Sequence, residues 1–111
     1  MPMFLHQWSY KDEQIRHFIV EQEDRSEVVR LATVAFGGKL HGFYYCFGEY
    51  EGVAITEFPD DETALACLMS IFGQGRVRTI HTTPLIQPDV GLRAMHMANE
   101  VVQPDASGQN I

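Results

Sequence analysis

A chain of 111 residues holds one domain and is too short for two comfortable ones, and a hydrophobic fraction of 45% is enough for a real core. Eight basic against fifteen acidic residues leave a formal charge of −7, which repels phosphate backbones and anionic bilayers. Neither nucleic acid nor a membrane is therefore expected as a partner.

In chain order, residues 3–9 are short, aromatic-rich and unbroken, which reads as a strand. Ile15, Phe18 and Ile19 recur at helical spacing, so a helix begins near Asp12, and the acidic run Glu21-Gln22-Glu23-Asp24 is read as its interruption or as a solvated face. From Ser26, read as a cap, the helical period returns with Val28, Leu31, Ala32, Ala35 and Phe36 on one face, and Gly37-Gly38 ends it. Lys39 to Phe47 is the strongest strand. Strict alternation sends Leu40, Gly42, Tyr44 and Cys46 one way and His41, Phe43, Tyr45 and Phe47 the other. A turn at residues 48–52 returns the chain as a strand from Val53 to Phe58. Asp60 is placed to cap the next helix, whose expected buried stripe is Ala64, Leu65, Leu68, Met69 and Phe72, with Gly73 and Gly75 as its stop. Arg76 to Thr83 is a last strand, Pro84 to Pro88 a connector, and Val90 to Ala98 a short helix before a polar tail.

This order predicts an α+β fold, βαββαβ, with a four-stranded antiparallel sheet and its main helices on one face. Large apolar side chains fall on both faces of the strands: Met3 and Leu5 against Phe4 and Trp8, and apolar residues on either side of the second strand. Helices cover one face; a second copy of the sheet is the economical cover for the other, so a homodimer or larger homo-oligomer is expected. Phe43 and Tyr45 are assigned to that interface.

The segment Gly37-Gly38-Lys39-Leu40-His41-Gly42-Phe43-Tyr44-Tyr45-Cys46-Phe47-Gly48-Glu49-Tyr50-Glu51 resembles the signature region of the GYD domain family. Glu57-Phe58-Pro59-Asp60-Asp61-Glu62 and Gly75-Arg76-Val77-Arg78-Thr79 resemble that family too. The resemblance implies a ferredoxin-like fold of the dimeric α/β-barrel group, in which two sheets pack face to face, and supplies no activity or active-site motif. The resemblance covers roughly residues 3–85, so the chain is read as a GYD-like domain over 1–86, followed by a C-terminal helical extension over 87–102 and a polar tail over 103–111 that is expected to be disordered.

The chemistry is sparse. Among five histidines, no pair has the His-Glu-x-x-His spacing that sets two imidazoles on one helix face, and no metal is expected; His6 and His81, on neighbouring strands, are the pair able to converge. Gly73-Gln74-Gly75 follows a helix where a dinucleotide site needs a strand, so no cofactor is expected. The two cysteines, Cys46 and Cys67, lack Cys-x-x-Cys spacing and read as small core hydrophobes, and Met1 to His6 lacks a basic leader, so a soluble cytoplasmic protein is expected. Three functions remain: a homo-oligomeric small-molecule-binding or accessory domain; a small cofactor-free oxygenase, isomerase or decarboxylase using His6 or His81 with a tyrosine; and a structural interaction module. His6, Trp8, Tyr44, Tyr45 and His81 are the candidates to line a pocket, being of the types that combine a tunable proton with water-excluding walls.

Overall fold

Local chemistry explains where each element starts and stops. The computed structural model describes residues 1–102, in the order β1 (Met3–Tyr10), α1 (Asp12–Val20), α2 (Arg25–Ala35), β2 (Lys39–Tyr45), β3 (Gly52–Glu57), α3 (Asp61–Phe72), β4 (Val77–Leu85) and α4 (Pro88–Val101). The tail at 103–111, expected to be disordered, lies outside the described residues. Asp24, not Ser26, caps α2, its carboxylate accepting from the Ser26 backbone N–H at 3.0 Å. At the other end Gly37 takes a φ of +78°, and Gly38 N–H reaches back to the Thr33 carbonyl at 2.9 Å, a left-handed stop that a side chain would strain. Asp60 caps α3 as expected, accepting from Thr63 N–H at 2.8 Å. Pro84 lies inside β4, which is tolerated because β4 is an edge strand.

The sheet runs β2-β3-β1-β4 with every pairing antiparallel. Period two along β1 sends Phe4, His6, Trp8 and Tyr10 to one face, where all four are buried. Ala54, Thr56 and Val77 join them, and Ile15 and Phe18 of α1 and Ile71 of α3 pack on top, so these helices share that face. On the opposite face Met3, Leu5, Gln7, Tyr44, Val53, Ile55 and His81 all stay partly or fully exposed.

β2 departs from strict alternation. Leu40 pairs with Thr56 and Gly42 with Ile55, leaving His41 as the extra residue of a bulge, hydrogen-bonded to Glu57 at 2.8 Å. The bulge places Leu40 and Phe43 on the same, helix-covered face, where Phe43 lies 5.6 Å from Trp8. Phe43 is thus a core residue, and Tyr45, its ring edge-on to Phe43 at 5.2 Å, belongs to the same side. Their assignment to the open face is overturned.

The helices also turn differently from the apolar count. α2 directs Arg25, Val29 and Thr33 inward and leaves Val28, Leu31 and Val34 exposed; α3 buries Ala64 and Cys67 and exposes Leu65, Met69 and Phe72. α4 has no buried residue, and its apolar stripe of Val90, Ala94, Met97, Ala98 and Val101 faces outward in a molecule 69 Å long and 30 by 21 Å across.

One close approach anchors the core. A Cβ on Gly52 would sit 2.3 Å from the Trp8 ring, closer than any side chain tolerates. Gly52→Ala is expected to destabilise the fold by about 1–3 kcal/mol, seen as a melting-temperature drop of roughly 5–20 °C. An unchanged melting temperature would show that Trp8 has room to yield.

Candidate functional site

His6 is delivered to the middle of the covered face by its even position on β1, between Phe4 and Trp8. Apolar clusters flank it. Phe4, Phe58, Ala64 and Cys67 form one, and Trp8, Tyr10, Ala54 and Val77 the other. The seam between them is polar. His6 Nε2 is 2.7 Å from the Thr56 hydroxyl and Nδ1 is 2.9 Å from the Thr82 hydroxyl, so neutral imidazole is satisfied at both nitrogens by groups that can each donate or accept. Burial pushes the His6 pKa down to about 4.

Beside this seam the sheet and helices leave a partly enclosed cavity of about 50 Å³, room for a few water-sized groups. Its walls include His6, Trp8 and Tyr10 from β1, Arg25, Val29 and Thr33 from α2, Cys67, Leu68 and Ile71 from α3, and Arg76 before β4. Burial raises the Tyr10 phenol above its ordinary pKa, while neighbouring Trp8 and Arg25 pull it back down, and burial alone raises the Cys67 thiol. Thr33 satisfies its hydroxyl on the Val29 carbonyl at 2.8 Å. Arg25 is the unusual wall residue. It is 8% exposed, stacks over Phe18 at 5.7 Å and gives Nη1 to Glu23 at 3.2 Å. Its Nε is the one buried side-chain nitrogen or oxygen without a hydrogen-bond partner among the described residues.

Of the five candidates read from the sequence, the cavity gathers two, His6 and Trp8. Tyr44 pairs with Val53 on the open face and is 62% exposed, and Tyr45 is 59% exposed at the end of β2. His81 is opposite Gln7, whereas His6 is opposite Thr82, so the two histidines point to opposite faces and do not converge. His81 meets Tyr50 instead, at 5.6 Å. Among the described residues no group of three or more His, Cys, Asp or Glu is placed to hold a metal. Cys46 is half-buried with its thiol 3.2 Å from the Tyr50 carbonyl, and no helix of the described residues is long and apolar enough to cross a membrane.

Tyr10, Thr56, Thr82 and Arg25 were not singled out from sequence. Tyr10 was legible, since it extends the alternation Phe4, His6, Trp8 by one step. Arg25 was not: an arginine following Glu23 and Asp24 reads locally as a solvated charge.

Comparison with known proteins adds one finding. No curated protein and no solved structure matches the chain significantly. A family model described as the GYD domain matches residues 4–94, a span that runs from β1 through the cavity-lining helices and into α4. With the glycine-flanked β2–β3 hairpin and most of the rest of the chain inside the match, the protein belongs to the GYD domain family.

Proposed function

We propose that this chain is a homo-oligomeric protein that binds a small molecule between its sheet and helices. The cavity carries this reading: buried polar side chains and aromatic walls converge on a space that the core leaves unfilled. A binding role is favoured over cofactor-free catalysis by the state of His6. Both its ring nitrogens are engaged by threonines and burial holds it neutral, so it offers no free base and no acid near neutral pH.

The βαββαβ order and the β2-β3-β1-β4 arrangement support a ferredoxin-like domain. The row Leu5, Val53 and Ile55 on the open face supports its closure against a second copy as a dimeric α/β barrel, and the exposed ridges of α2, α3 and α4 supply further apolar surface for assembly.

The chain has a single tryptophan, Trp8, and it lines the cavity. A panel of small aliphatic and aromatic compounds is expected to include members that shift Trp8 emission saturably. Val29→Phe, which fills the space from α2, is expected to remove that response while leaving the fold intact by circular dichroism. Emission that no compound moves, or a response untouched by Val29→Phe, would refute the binding site.

A further inference from the structure

Resting on that cavity reading, we propose that the ligand is a small carboxylate, its apolar end among Val29, Ala54, Leu68 and Ile71 and its charge on the Arg25 guanidinium. Two independent observations lead there. The first is the orphaned Nε of Arg25, in a residue more than nine-tenths buried that forms part of the cavity wall. A buried donor without a partner costs free energy in proportion to what it has lost from water, and a ligand oxygen restores it. The second is the charge of the walls. In a chain with fifteen acidic and eight basic residues, the cavity is lined by two arginines, Arg25 and Arg76, and by no aspartate or glutamate. A positive lining inside a negative molecule selects anions.

The size of the charge follows from the rest of the wall. Most of it is apolar, so a doubly charged phosphate would lose more hydration than one buried guanidinium returns. A singly charged carboxylate with a short hydrocarbon body suits both ends of the space. The guanidinium is already held in place by Phe18 beneath it and by Glu23 on Nη1, so its Nε is pre-oriented and loses little freedom on binding. Glu23 is itself 40% exposed at the side chain and competes with the incoming carboxylate for the same cation.

The test compares isobutyrate, isobutyramide and inorganic phosphate on the full chain, by Trp8 emission and calorimetry. Isobutyrate is expected to bind about tenfold or more tighter than isobutyramide, since a hydrogen bond in which both partners are charged is shorter and stronger than one to a neutral amide oxygen. Arg25→Met is expected to erase that preference by weakening the acid more than the amide, with an unchanged circular dichroism spectrum and melting temperature reporting that the variant is folded. Glu23→Gln, an exposed change that removes the competitor, is expected to strengthen isobutyrate several-fold. Equal binding of acid and amide would overturn the carboxylate assignment and leave the cavity as a neutral-ligand site. Phosphate binding tighter than isobutyrate would overturn it as well. Failure of all three probes would overturn the carboxylate assignment, whereas the binding site itself falls only if the wider panel of compounds also leaves Trp8 emission unmoved.

Discussion

Acidification from pH 7 to pH 5 is expected to cost this protein about 2 kcal/mol of stability through His6 alone, rising to about 3 kcal/mol by pH 4. The sign follows from which state takes up the proton. In the unfolded chain His6 titrates near 6.5, but burial in the fold lowers it to about 4. Between those values the unfolded state binds a proton that the folded state refuses, so unfolding gains as the pH falls. The stability is fully present above about pH 6.5, declines through the window, and is spent below about pH 4. The charged ring would have to stand between Phe4 and Trp8, flanked by apolar clusters, with threonine hydroxyls for company in place of a carboxylate. Urea midpoints at pH 7 and pH 5 measure the effect. His6→Gln keeps a polar group in the seam without a titrating one, so the variant is expected to be weaker at pH 7 and nearly flat over that range. A wild type as flat as His6→Gln would mean that the imidazole is solvated or paired in the folded state.

The same residue shows how far the sequence could be read. His6 and Trp8 are recognisable together because β1 alternates cleanly and nothing disturbs its register with β3. The order of the elements is equally legible, since each boundary carries its own local signal: Gly37 after α2, Asp60 before α3, the hairpin between β2 and β3. What escaped were features that only partners in space decide. The bulge at His41 has no mark in the letters Lys-Leu-His-Gly-Phe, yet one extra residue moves Leu40 onto the face of Phe43 and reverses the reading of half the strand. α2 misled for a related reason. Its richest apolar ridge, Val28, Leu31 and Val34, points out, while Arg25 and Thr33 turn in to line the cavity. A helix that places polar groups against a cavity inverts the usual inference from hydrophobic periodicity.

The open sheet face yields the last and most decisive comparison, Ile55→Asp against Phe43→Asp. Ile55 sits opposite Leu5 on one side and Gly42 on the other, near the middle of the uncovered face, and is half-buried within one protomer. A carboxylate there remains hydrated in a lone subunit but is sealed from water if two sheets close on each other, where an unpaired charge costs several kcal/mol. Ile55→Asp is therefore expected to keep its circular dichroism and sediment as a monomer at micromolar concentration, while the wild type sediments as a dimer or larger. Phe43→Asp is expected to behave otherwise. Its side chain is half-buried against Trp8 on the helix-covered face, so the aspartate loses that core packing in every assembly state and the variant should lose about 2–4 kcal/mol. The pair separates interface from core by a single bulge: had β2 alternated strictly, Phe43 would be the interface residue and its aspartate the harmless monomer. A monomeric wild type, or an Ile55→Asp variant that assembles as the wild type does, would leave the open face without a role in self-association.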